Sequence, residues 1–212
     1  MKITIIYDNT GWKKGLIADW GFSCLVEAHD RSILFDAGGN GKILLDNMHK
    51  LGINARSITD IFISHGHFDH IGGLSAFLNE NNAVTLYAPL SFRGVKNVKQ
   101  LVYVSEPARL ADGIYSTGEL EHIEQIMAIE TDKGLVLIAG CSHPDMENIF
   151  RSAGQFGSIY GIAGGLHGFD RFDMFSSLGL ICPTHCTRHT DEIKRRYPEK
   201  YIQGGAGQTL FI

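Results

Sequence analysis

Residues 58–73 read ITDIFISHGHFDHIGG, and no other stretch limits the fold so strongly. An apolar, strand-like run leads straight into His65, His67, Asp69 and His70, and two glycines close the loop. Neutral imidazoles and carboxylates suit zinc, iron or manganese. Three ligands leave the open coordination position that a catalytic ion needs. Four candidates in one loop exceed that, so the spacing points to two cations, which together can hold both sides of a displacement. Gly72 and Gly73 are expected to let the backbone turn tightly into the next helix. A loop that is histidine-rich by chance would not follow a buried strand with this density of donors.

A fold that uses this loop must bring further ligands from elsewhere, and the sequence offers three. LIAGCSH, GIAGGLH and LICPTH each run an apolar strand through a glycine or proline and end on a histidine: His143, His167 and His185. Any one of them alone could be a turn histidine bonded to backbone. Their shared setting argues for a common site, most strongly for His143 and His185.

The pattern between these points alternates. Strands are expected at 2–7, 23–28, 32–36, 58–64 and 83–88, with HDRS as the hairpin turn between the second and third. Short strand-like pieces fall at 101–104 and near 114. Further strands are expected at 123–131 and 134–143, joined by a DKG hairpin, then at SIYGIAGG, LICPTHC and QTLFI. Helical periodicity marks 41–52, 72–81, the segment capped by Asp145, FDRFDMFSSLG and TDEIKRRYP. Residues 89–122 are the least regular. No linker, low-complexity run or repeat interrupts the chain, so a single domain over 1–212 is expected, with two facing sheets covered by helices.

The chain has 212 residues, is 44% hydrophobic, and carries a formal charge of −4. That charge gives no electrostatic case for nucleic acid or an anionic membrane. No apolar run reaches the length of a membrane span, and the start lacks signal-peptide features, so a cytoplasmic location is expected. The cysteines, Cys24, Cys141, Cys182 and Cys186, form no CxxC pair and are read as free thiols. Strand neighbours point to opposite faces, so Cys186 should face away from whatever His185 faces. Cys141 and Cys186 are accordingly expected to be small core residues. The loop GWKKGLIADWGF, with Trp12 and Trp20, is either a flap over the site or an ordinary anchored loop. RHTDEIKRRYPEK reads as a solvated helix face, within which Arg188 is the best candidate to meet a substrate phosphate.

These motifs resemble the metallo-β-lactamase-fold hydrolases over essentially the whole length. ILFDAG with Asp36, SHGHFDH, GCSH and PTHC stand in the order of that family's motifs. The fuller pattern WGFSCLVEA, ILFDAG, GCSHPDMENI, GGLHGF and PTHCT is similar to the branch of dihydropterin-methyl-ribofuranosylaminobenzene-phosphate synthase-like proteins. The resemblance implies an α/β, αββα four-layer sandwich with the metals at one edge between the sheets. It implies His65, His67 and His143 at one metal and Asp69, His70 and His185 at the other. Asp36 would lie outside the ligands and orient the histidine loop. Many members bridge the metals with an aspartate where this chain has His167, so His167 would bind one metal, contact substrate or donate a proton. Asp170 and Asp173 fall where a helix should start and are expected only to cap it.

The expected activity is that of a metal-dependent hydrolase with one or two divalent ions, zinc first and manganese or iron also compatible. Its substrate would be a small ester or phosphoester, with pterin-related or phosphorylated molecules among the candidates, and Asp69 and His167 as catalytic residues. The alternative is a metal-binding protein of the same fold without turnover. Oligomeric state is left open by the sequence.

Overall fold

The computed structural model describes residues 1–212. The chain opens with an antiparallel meander, β1 (Lys2–Tyr7), β2 (Ser23–Ala28) and β3 (Arg31–Phe35). The β2–β3 turn is two residues long, and His29 and Asp30 both take positive φ, 49° and 58°. That is the turn whose twist matches a hairpin. Helix α1 (Gly41–Lys50) follows, capped by the Asn40 side chain, which accepts from two backbone N–H groups of the first turn. Parallel strands β4 (Asp60–Phe62), β5 (Thr85–Ala88) and β6 (Gln100–Tyr103) extend the sheet, with helices α2 (Phe68–Ile71) and α3 (Leu74–Glu80) between β4 and β5.

A second sheet begins with β7 (Ala108–Ala111), β8 (Ile114–Ser116), β9 (Met127–Thr131) and β10 (Gly134–Ala139), all antiparallel. Helix α4 (Met146–Ala153), β11 (Ile159–Gly165), β12 (Leu180–Thr184) and α5 (Thr190–Arg196) complete it, with β10, β11 and β12 parallel. The last strand, β13 (Thr209–Phe211), returns to pair with β1. The strand orders are β13-β1-β2-β3-β4-β5-β6 and β12-β11-β10-β9-β8-β7.

Period-two alternation assigns each strand residue to a layer. Ile3, Ile5, Ile33, Phe35, Val136 and Ile138 meet between the sheets, with Cys24 and Cys182 among them. Ile6, Leu25 and Leu34 turn outward to Leu44 and Met48 of α1 and Leu74 and Phe77 of α3. Leu137, Ala139 and Ile162 turn outward to Met146 and Ile149 of α4 and Ile193 of α5. The result is the expected αββα order of layers.

Three local expectations change. FDRFDMFSSLG forms only a short 3-10 turn, Phe172–Phe175. Phe169, Phe172 and Phe175 recur every three residues, and their rings pack on one another, which suits three residues per turn better than 3.6. Residues 123–126 do not join β9 but bend inward to the site. Gly72 and Gly73 keep negative φ, −60° and −84°. They are needed for close approach instead: a Cβ on Gly72 would sit 2.3 Å from the Gly39 carbonyl oxygen, and one on Gly73 2.2 Å from that of Ala37.

The β1–β2 loop is held, not loose. Buried Asn47 of α1 accepts from the Ile17 N–H and donates to the Ile6 and Ile17 carbonyls. Asn47→Ala should destabilise the protein by about 1–3 kcal/mol, since these backbone groups lose their partner. Urea unfolding of the variant checks this, with faster proteolysis near residue 17 as the local sign.

Candidate metal centre

The carboxyl ends of β3, β10, β11 and β12 open onto one edge between the sheets, and each delivers a side chain there through the same device. Asp36, Ser142, His167 and His185 all have positive φ, between 45° and 56°. Each costs a residue with a Cβ about 1–2 kcal/mol. A left-handed residue ends the strand abruptly and re-aims the chain, and this strain is gathered at the site.

The histidine loop after β4 supplies the centre. His65 Nδ1 lies 2.9 Å from Ser64 Oγ, which itself donates to Asp36 Oδ2 at 2.6 Å. With its proton on Asp36, Ser64 can only accept from His65, so His65 carries hydrogen on Nδ1. Its Nε2 then carries no hydrogen and can accept from His67 Nδ1 at 3.0 Å. His70 Nδ1 faces Asp36 Oδ2 at 2.7 Å, which turns His70 Nε2 inward. His143 Nδ1 donates to Glu124 Oε2 at 2.9 Å. His185 Nδ1 donates to Asn9 Oδ1 at 2.9 Å, and Asn9 Nδ2 donates back to the His185 carbonyl. In His65, His70, His143 and His185 the Nδ1–H is thus engaged by an oxygen, and the Nε2 lone pair points into the cavity. An outer oxygen partner fixing the tautomer is what metal-binding imidazoles require.

Four groupings of potential ligand atoms form here, two of them without cysteine. The ligand-capable atoms of His65, His67 and His143 lie within 4.8 Å of one another, and so do those of Asp69, His70 and His185. These are the groupings expected from the motifs. Electrostatics suits cation binding. Burial pushes His65 and His70 down to about 3, so both rings are neutral. Asp69 is partly exposed and its Oδ2 accepts from Trp20 Nε1 at 2.8 Å, so its carboxylate is ionised at neutral pH. His185 Nε2 is buried with no hydrogen-bond partner, although Asp69 Oδ2 is 3.3 Å away. A buried bare nitrogen beside an ionised carboxylate is costly unless a cation lies between them. The residues therefore fit divalent ions.

Asp36 lies behind the histidine loop, bonded to two of its residues. It is fully buried, receives the Ser64 N–H and hydroxyl and His70 Nδ1, and burial pushes it up to about 7. His167 lies outside both donor sets, its ring centroid 5.3 Å from that of His143 and half exposed. Burial, with His143 and Arg188, lowers its pKa. Arg188 is exposed beside Gly168, next to His167. Asp170 is exposed on the outer surface, and so is Asp173, which pairs with Arg196.

Four participants were not read from the sequence. Glu124 is fully buried and accepts from the Gly140, Cys141, Ser142 and His143 N–H groups as well as the His143 ring. Burial would raise its pKa, but the His143 ring, His65 and these N–H groups outweigh it and hold it at about 2. Asn9 orients His185, as described. Trp20 is an exposed part of the site: its Nε1 donates to Asp69 Oδ2 at 2.8 Å, and its ring meets that of His185 edge-on. Cys141 is the fourth. It is not a plain core residue, since its Sγ lies 3.2 Å from His70 Nε2. Neighbouring Cys186 and burial push the Cys141 thiol up. Nor does Cys186 face away: with His185 in the left-handed region strand alternation no longer holds, and Cys186 groups with Cys141 and His185.

Fold and site define a class. Residues 21–109 match the family model described as the metallo-β-lactamase superfamily, and the chain has the metallo-β-lactamase fold. It is 28% identical to the 7,8-dihydropterin-6-methyl-4-(β-D-ribofuranosyl)-aminobenzene-5′-phosphate synthase of Methanocaldococcus jannaschii, over 87% of this chain and 86% of that protein. A second, uncharacterized protein of the same organism is also 28% identical, over 99% of this chain and 100% of its own. Among solved structures, a metal-dependent hydrolase of the β-lactamase superfamily superposes with a TM-score of 0.78, covering 100% of this chain and 99% of that one at 24% identity.

Proposed function

We propose that the protein is a metal-dependent hydrolase of a small ester or phosphoester. The observation that carries this reading is the convergence of imidazoles whose Nδ1–H groups are already engaged, with ionised Asp69 among them. His65, His67 and His143 would hold one divalent ion and Asp69, His70 and His185 a second, with zinc expected and manganese or iron compatible. When bound, such ions supply Lewis acidity and a water acidified toward neutrality.

The chain's own residues do the remaining work. Asp36, Glu124 and Asn9 hold the rings in register. Asp69, still partly exposed, both ligates and presents an acceptor toward the cavity mouth. His167, half-buried beside His143, is placed to hydrogen-bond a leaving group; burial lowers its pKa and favours the neutral ring, which can donate from one nitrogen. Arg188 offers a guanidinium to a substrate phosphate. Trp20 and Phe68, 61% and 73% exposed, flank the site as apolar surfaces for a ring. The similarity to a protein named for a phosphorylated ribosyl pterin product favours phosphorylated aromatic substrates. A small-molecule partner and a cytoplasmic location belong to the same proposal; no helix is long and apolar enough to cross a membrane.

The test is turnover of phosphodiester, phosphomonoester, lactone and thioester probes by protein loaded with zinc or manganese. Hydrolysis that is removed by chelation and restored by the ion supports the reading. Full metal loading with no turnover of any probe favours the metal-binding alternative, to which the histidine at position 167 lends some support.

A further inference from the structure

We propose that Cys141 is a sulfur ligand of this centre, placed between the two donor sets. The proposal rests on the two-cation reading above and adds a donor that the histidine motifs do not contain. Cys141 is the common member of two groupings of potential ligand atoms, each within 4.8 Å: His65, His70 and Cys141, and Cys141, His185 and Cys186. His65 belongs to one metal's set, while His70 and His185 belong to the other's. The sulfur therefore lies within 4.8 Å of ligand atoms from both sets. Cys141 Sγ lies 3.2 Å from His70 Nε2, a hydrogen bond in which the thiol can donate to the inward lone pair of the ring; loss of that proton would free both atoms for one cation.

A second observation stands apart from the cysteine. His185 Nε2, its side chain wholly buried, has no hydrogen-bond partner and belongs to the grouping that contains both sulfurs. The backbone that carries Cys141 is also unusually constrained. Glu124 Oε1 binds the N–H of Gly140, Cys141 and Ser142, and Ser142 Oγ donates to the Gly165 carbonyl at 2.8 Å. An inert packing residue needs no such clamp, whereas a ligand gains from a fixed position. Asp69 is the one carboxylate in the donor sets, and Asp170 and Asp173 are exposed, Asp173 against Arg196.

A thiolate has a chemical consequence. Soft sulfur favours zinc or iron over manganese and magnesium, and thiolate ligation releases a proton as the ion enters. The centre should therefore hold zinc, or cobalt in its place, in preference to manganese.

X-ray absorption of the zinc-loaded wild-type protein tests this without any variant. A sulfur neighbour at about 2.3 Å is expected beside nitrogen and oxygen at about 2.0–2.2 Å. Cobalt-loaded protein should show a sulfur-to-metal charge-transfer band that disappears in Cys141→Ser and survives in Cys186→Ser. Zinc bound with only nitrogen and oxygen neighbours overturns the proposal and leaves the two-cation reading standing. A band that persists in Cys141→Ser also overturns it. Failure of zinc to bind at all overturns both.

Discussion

Replacing Glu124 with alanine is expected to lower the unfolding free energy by at least about 3 kcal/mol, since several buried N–H donors lose their acceptor at about 1–3 kcal/mol each. The carboxylate is fully buried and serves the N–H groups of residues 140–143 and the His143 ring. Its loss strands these donors in the interior, where water cannot replace it, and frees His143 to rotate. Metal affinity should fall about 10–100-fold in the protein that still folds. Glutamine is expected to rescue poorly. Its oxygen can replace Oε1, but its NH2 would then face the His143 N–H and Nδ1–H, donor against donor. Urea denaturation with metal titration checks both variants; wild-type stability in Glu124→Ala would remove Glu124 from its place in the argument.

The second large effect separates metal from stability. His67 is exposed at the rim. His67→Ala should change folding stability by no more than about 0.5 kcal/mol. Its metal content should nevertheless fall from about two ions per chain to about one, with hydrolysis lost, since paired ions act together. His70→Ala should behave differently, because buried Asp36 then loses the Nδ1–H that faces it. That variant should lose both metal and stability. Elemental analysis beside thermal unfolding distinguishes them, and full metal retention by His67→Ala would take His67 out of the ligand set.

Much of this site was legible because ligands sit at strand ends, where an apolar run stops at a polar residue. His65, His67, Asp69, His70, His143 and His185 all carry that local mark, and the structure gathers them. Asn9 does not: it meets His185 across a separation of 176 residues, and nothing around it signals a partner. Glu124 left a faint trace as a lone acid within the apolar run IEQIMAI, but strand periodicity absorbed it. The misreading of Cys186 has a definite cause. Alternation assumes extended backbone, and His185 at φ 48° breaks it. Cys141 stands two residues before His143, a spacing that alternation would itself have put on the same side. Trp20 was weighed only as part of a possible flap, because its bond to Asp69 depends on how Asn47 and Asn9 fasten the loop.

The most direct measurement is anomalous scattering from crystals of the protein loaded with zinc. Two peaks are predicted, one enclosed by His65, His67 and His143 and one by Asp69, His70 and His185. A pocket without zinc after loading, or zinc held elsewhere on the surface while these rings keep only their protein partners, would contradict the account.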